Sequence, residues 1–223
     1  MSFECINVRF SEVKDMDVVD SNGEKLGRVN DFMFKYEDGK IQLTSVIIGG
    51  SRFEELIERI GLKEDQDPIF GVGCIERIED NVYLKTECDS LSTSYDPTGK
   101  QNMSLSKLAK IKVVDSDGFK VGTVTDVWFD SCGDVLLILE GGTFESILEK
   151  LKLRPDIDLL LPEYFIKNVS EKEVCLQYTK FQLESTAQEE YQKYKSELAT
   201  RVEEDDARTR LLKLTGHTRG GVT

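Results

Sequence analysis

The chain has 223 residues, 39% of them hydrophobic, with 42 acidic against 29 basic residues and a formal net charge of −13. That length holds two small domains or one large one, and the regular recurrence of apolar stretches excludes disorder throughout. So acidic a chain repels a phosphate backbone, which makes nucleic acid an unlikely partner.

The five cysteines, at 5, 74, 88, 132 and 175, form no C-x-x-C pair and are odd in number. That pattern argues against a zinc site and a disulfide framework and reads as incidental thiols in a reducing compartment. Met1–Phe10 lacks a charged start followed by an apolar stretch. The longest apolar run, "VLLIL" at Val135–Leu139, is far short of the roughly 20 residues of a membrane helix. The expectation is a soluble, cytoplasmic protein without a transmembrane segment.

The first predicted elements are the strands "DVVD" and "KLGRVNDFMFK", joined through Ser21, Asn22, Gly23 and Glu24. Asn-Gly tolerates positive φ and marks a tight hairpin. A second glycine turn, "EDGK", leads into "IQLTSVIIGG", apolar enough to cross a core. Phe53, Leu56, Ile57 and Ile60 then recur at helical spacing, and "NVYLKT" supplies a last strand. Asp89–Ser104 is rich in Ser, Thr, Gly and Asn without apolar period, which sets a linker at 89–106.

Past the linker the pattern repeats. "VVDSDGFKVGTVTDV" (Val113–Val127) answers "VVDSNGEKLGRVNDF" (Val18–Phe32) at an offset of 95, from 113 minus 18. Val18, Asp20, Gly23, Gly27, Asp31 and Phe34 match Val113, Asp115, Gly118, Gly122, Asp126 and Phe129. "CGDVLLILEGG", "TFESILEKLKL" and "FIKNVSEKEVCLQYT" follow in the same order as their counterparts, so Phe144, Ile147, Leu148 and Leu151 predict a second short helix. Four blocks in one order mean a duplication. Short strands with regular glycine turns and one small helix per copy predict two compact β-barrels.

The Asp-Gly phrase is a turn and not a calcium loop. Counting from Asp115, Gly118 falls at position 4, Phe119 and Lys120 at positions 5 and 6, and Asp126 at position 12. A calcium loop needs an oxygen ligand at 5, Gly at 6 and Glu at 12. The aspartates are expected to bond nearby backbone, and Gly27 and Gly122, inside a strand pattern, to mark a bulge or a close backbone approach. Trp128, the only tryptophan, is expected to pack in the core or at the barrel lip. The only histidine, His217, lies in a Gly-rich end, and there is no G-x-S-x-G motif. No catalytic, cofactor-binding or metal-binding residue is assigned, and the expectation is a non-enzyme without cofactor.

From Gln182 the chain has no Gly or Pro for over thirty residues and is dense in helix formers. Leu183, Ala187, Tyr191, Tyr194, Leu198 and Val202 form one stripe, predicting a long amphipathic α-helix over 182–214. Tyr191, Tyr194, Leu198 and Val202, with the basic Arg208, Arg210 and Lys213 of the tip, are the candidate partner-binding residues. The stripe suits self-association or docking to a protein partner, and the tip suits peripheral membrane contact.

"VVDSNGEKLGRVNDFMFK", "GKIQLTSVIIGG" and "PIFGVGCIERIEDNVYL" together resemble the PRC-barrel domain, the barrel of the photosynthetic reaction centre H subunit and of the C-terminal part of the ribosome maturation factor RimM. The second copy departs from the pattern in carrying Gly133-Asp134 where the family has Gly-Lys. The resemblance covers roughly residues 11–86 and 107–180. It implies a first barrel at 1–88, a second at 107–181, and a tail at 182–223. It also implies a non-enzymatic interaction adaptor or scaffold, with archaeal members linked to cell division. A ribosome maturation factor that binds a ribosomal protein is the alternative.

Overall fold

The computed structural model of the chain describes residues 4–5, 7–50, 69–87, 102–131, 134–142, 158–186, 189 and 211–213. The two expected helices at 53–60 and 144–151 lie outside them. The described chain is mainly β.

In the first copy the elements run β1 (Glu4–Cys5), β2 (Val8–Arg9), α1 (Phe10–Val13), β3 (Asp17–Val19), β4 (Lys25–Glu37), β5 (Lys40–Gly49), β6 (Ile69–Gly71), β7 (Ile75–Ile78) and β8 (Val82–Leu84). The second copy follows with β9 (Met103–Ser104), α2 (Leu105–Leu108), β10 (Lys112–Val114), β11 (Lys120–Phe129), β12 (Val135–Glu140), β13 (Asp158–Pro162), β14 (Ile166–Val169), β15 (Glu173–Leu176) and β16 (Leu211–Lys213). The first sheet has the order β1-β7-β8-β3-β4-β5-β6, and the second β14-β15-β10-β11-β12-β13-β16. Without β1 and β16, the two share one six-strand order, the topological signature of the duplication.

Two expectations are corrected. The linker set at 89–106 includes Met103–Ser106, which form β9 and the start of α2. Ser104 caps α2 by accepting a bond from Lys107 N at 3.3 Å. The tail helix set at 182–214 is helical from residue 180 through 186, but Leu211–Lys213 is a strand, parallel to β13 in the register Asp158↔Leu211. Backbone pairing with a distant strand outweighs local helix propensity there.

The long central hairpin shows how sequence becomes register. β4 and β5 pair from Arg28↔Gly49 to Glu37↔Lys40, and the two residues between, Asp38 and Gly39, both have positive φ (52° and 76°). That is the turn whose twist matches paired strands. Val29, Phe32 and Phe34 are buried on one strand, and Ile41, Val46 and Ile48 on the other. In β12 all of Val135–Leu139 is buried, so the run that read as core-crossing is covered on both faces.

The chain divides into two compact units, residues 1–110 with 126–136, and 111–125 with 137–223. The first unit therefore holds the first copy, the arm of the second copy (β9–α2) and one end of β11. Within it, β2 pairs with β11 in the register Trp128↔Arg9 and Phe129↔Val8, and β9 pairs with β4 as Met33↔Ser104 and Phe34↔Met103. These registers are the same pairs shifted by 95 residues (104 minus 9, 128 minus 33), so each copy lends its arm to the other copy's central strand. Trp128, expected in the core or at the lip, is half-buried here.

Two aspartates secure the exchange. Asp126, buried to 8% exposure, accepts at Oδ1 from Val127 N at 2.8 Å and Ser11 N at 3.2 Å, and at Oδ2 from the Ser11 hydroxyl. Asp31 accepts from Phe32 N at 2.8 Å and Ser106 N at 3.1 Å. Each carboxylate thus satisfies an N–H in the first turn of the other copy's helix, where intrahelical partners are lacking. A β-bulge between Val29 and Asp31 shifts the register at this aspartate, as bulges do when they re-aim a side chain. Beneath the exchange, Phe10, Phe32 and Phe129 meet edge to face, at centroid separations of 6.3 and 5.8 Å.

Asp126→Ala removes the acceptor for three donors and should cost about 2–3 kcal/mol, against about 1 kcal/mol for Asp31→Ala. Urea unfolding should show the larger midpoint shift for Asp126→Ala with an unchanged slope, and a double-mutant cycle with Ser11→Ala should give a coupling energy. At Gly27 an added Cβ would lie 2.7 Å from Gly49 O and from Ile48 Cγ2, whereas at Gly23, with φ +83°, it would meet open space. Gly27→Ala should therefore lose about 1–3 kcal/mol and Gly23→Asn less than about 1 kcal/mol, as read by thermal melts.

Candidate interaction surface

The Asp-Gly turns organise one end of each copy. Gly23 and Gly118 take the left-handed conformation (φ 83° and 86°), and their N–H groups donate to Asp20 O and Asp115 O at 3.0 and 3.1 Å. The aspartate side chains fold over the same turns. Asp20 Oδ1 accepts from Asn22 N and Glu24 N, at 2.9 and 2.8 Å. Asp115 Oδ1 accepts from Asp117 N and Phe119 N, at 3.0 and 2.8 Å. Both aspartates are only 3% exposed, and their described bonds run to backbone, as the turn reading required. Among the described residues no cluster of three or more His, Cys, Asp or Glu is placed to hold a metal.

Asp115 does more than close its turn. Its second oxygen accepts from Lys180 N at 2.8 Å, so one buried carboxylate ties the β10–β11 turn to the segment that follows β15. Ser116 N donates to Tyr178 O at 3.0 Å and Gln177 N to Phe165 O at 3.0 Å. The side chain of Gln177 donates to Tyr164 O. The turn at 116–119, the single helical turn at 163–165 and the segment 177–181, which runs into the 180–186 helix, thereby meet at one end of the second unit.

That end is aromatic. Phe165, buried, meets Tyr164 and Tyr178 at tilted angles of 38° and 52°, with centroids 4.9 and 5.0 Å away. Phe119, Tyr164 and Phe181 are 66%, 44% and 76% exposed, and are the exposed large hydrophobic residues of the described chain. Single exposed apolar residues are ordinary, but three on hydrogen-bonded neighbouring segments make this end a candidate interaction surface.

The first copy carries the same frame with different side chains. Ser21 N donates to Thr86 O and Lys85 N to Cys74 O, which makes Thr86 the counterpart of Tyr178, Cys74 of Phe165 and Gly73 of Tyr164. Glu24 stands where the second copy has Phe119. The aromatic end is specific to the second copy.

Cysteine chemistry adds nothing at this end. Burial, with the Glu173 carboxylate behind it, pushes the Cys175 thiol above its ordinary range, so it stays protonated and unreactive at neutral pH. Of the sequence-assigned partner residues, Tyr191, Tyr194, Leu198, Val202, Arg208 and Arg210 lie outside the described residues, and Lys213 falls in β16. Phe119 and Phe181 were not singled out from sequence. The available signal was Phe119 at a turn position where the first copy has Glu24.

The PRC-barrel domain model matches the chain twice, over residues 6–85 and 100–180. The chain belongs to the PRC-barrel domain family and carries the domain in tandem. No curated protein matches the chain. PRC-barrel domains are protein-interaction and scaffold modules. No helix among the described residues is long and apolar enough to cross a membrane.

Asp115→Ala should loosen the 116–119 turn and the segment after β15 together, because three backbone N–H groups, of Asp117, Phe119 and Lys180, lose their acceptor. The expected loss is about 2–4 kcal/mol in chemical denaturation, with hydrogen-exchange protection falling first at the Asp117, Phe119 and Lys180 amides.

Proposed function

We propose that the chain is a non-enzymatic adaptor that binds protein through the aromatic end of its second PRC barrel. The observation that carries this reading is the exposure of Phe119, Tyr164 and Phe181 on three neighbouring segments, two braced by Asp115 and the third by Gln177. Aromatic side chains give large contact area at low entropic cost and are enriched where proteins bind one another. The first barrel, with Glu24 at the equivalent turn, keeps a polar end and serves as the frame on which the second is displayed.

The process we assign first is cell division, to which the family resemblance points. Ribosome maturation is second, because a chain of net charge −13 would have to reach the ribosome through a basic protein and not through RNA.

Affinity capture from the native cell with the wild-type chain should recover division proteins. Those proteins should be lost with the Phe119→Ser/Phe181→Ser variant and kept with Glu24→Ser, all three having the same melting temperature. Recovery unchanged by the phenylalanine substitutions would refute the surface. Capture of ribosomal subunits in place of division proteins would move the assignment to ribosome maturation.

A further inference from the structure

The aromatic end is built of two prongs side by side. One is the turn Ser116–Lys120, which carries Phe119 and the acidic Asp117. The other is the segment 179–182, which carries Phe181 and the basic Lys180. Both are held by the same carboxylate, since Phe119 N and Lys180 N donate to the two oxygens of Asp115 at 2.8 Å each. The prongs match in their aromatic tip and differ in the sign of the charge beside it. Such a surface is complementary to itself under a two-fold rotation, which sets each prong of one copy against the other prong of its partner.

We infer that the partner this end takes is a second copy of the same chain, in an isologous dimer. Phe119 of each copy packs on Phe181 of the other, and Asp117 of each faces Lys180 of the other. The inference rests on the interaction reading above and names the occupant of that surface.

Area and charge support a second copy. Exposures of 66%, 44% and 76%, on side chains of roughly 200 Å² each, leave about 370 Å² of aromatic surface. A stable interface needs about 800 Å² per partner. The exposed rim of Ser116, Asp117, Lys120, Gln177, Lys180 and Gln182 is positioned to supply the rest. Two chains of net charge −13 repel each other over most of their surfaces. This rim holds two lysines and one aspartate, so repulsion is weak here. At the equivalent turn the first copy has Glu24 where the second has Phe119.

The test is the oligomeric state of the purified full chain by sedimentation velocity and light scattering, up to about 100 μM. The wild type should dimerise, and the Phe119→Ser/Phe181→Ser variant should be monomeric with an unchanged melting temperature. Asp117→Lys and Lys180→Asp should each weaken the dimer about tenfold or more, and the two together should restore it. A monomeric wild type overturns the inference. So does a dimer that survives the double serine variant, or a charge exchange that fails to rescue. Because no other protein is present, this readout is separate from the capture experiment. A monomer that still captures a foreign protein through Phe119 and Phe181 sinks the dimer and leaves the adaptor reading standing. Loss of both sinks both.

Discussion

A carboxylate taken out of water must be met by donors, or burying it costs more than a small domain can bear. Asp20, Asp115 and Asp126 are all below 10% exposure, and each is met by backbone N–H groups. The constraint makes them knots, because the donors come from places a turn or a helix leaves unsatisfied. Asp20 gathers its own turn. Asp115 gathers its turn and the amide of Lys180, 65 residues on. Asp126 reaches back 115 residues to the first turn of α1. Removing one such acceptor leaves several amides orphaned in a site that has excluded water, which is why these positions govern much more than their own loops.

The arm exchange follows from the same economy. A four-residue helix such as α1 or α2 is too short to hold itself together in water. It persists because Phe10 and Val13, or Leu105 and Leu108, are buried and because an aspartate outside the helix satisfies its first turn. The aspartate lies on the other copy's central strand. Each copy therefore completes its partner, and a compact unit forms that contains the first copy together with residues 126–136 of the second. Duplication alone does not demand this. The reciprocal registers of β2 on β11 and of β9 on β4 do.

How much of this the sequence discloses depends on how far each interaction reaches. The glycine turns were legible because positive φ is a local demand that Gly23, Gly39 and Gly118 meet within four residues. The duplication was legible because it is a comparison of the chain with itself. Gly27 read as a bulge or a close approach, and Gly49 O lies 2.7 Å from where its Cβ would be. Asp31 and Asp126 were visible as matched residues, but their role depends on partners 75 and 115 residues away, and no local pattern encodes that. Met103–Ser106 read as linker because a two-residue strand and a one-turn helix are too short to show a period. Leu211–Lys213 read as helix because its neighbours are helix formers, while the strand it joins, β13, is some fifty residues earlier. Phe119 and Phe181 were not legible because phenylalanine is usually core, and their exposure follows from the turn at 116–120 and the start of the 180–186 helix.

The two ends of the tandem also explain how one frame can serve two purposes. In both copies the turn is specified by main-chain bonds to an aspartate and by a glycine whose missing Cβ would meet nothing within 4 Å. The residue after that glycine donates its amide inward and sends its side chain into solvent, so the frame places almost no demand on its identity. Glu24 and Phe119 occupy this position with the same amide bond of 2.8 Å. Selection for folding is therefore silent there, and selection for contact can act alone. A glutamate keeps the end hydrated, and a phenylalanine makes it adhesive. After the last strand, Thr86 and Tyr178 likewise accept equivalent bonds through their backbone oxygens while their side chains differ. An interaction surface could thus be acquired by one copy without disturbing either, because the atoms that hold the fold and the atoms that meet a partner belong to different parts of the same residues.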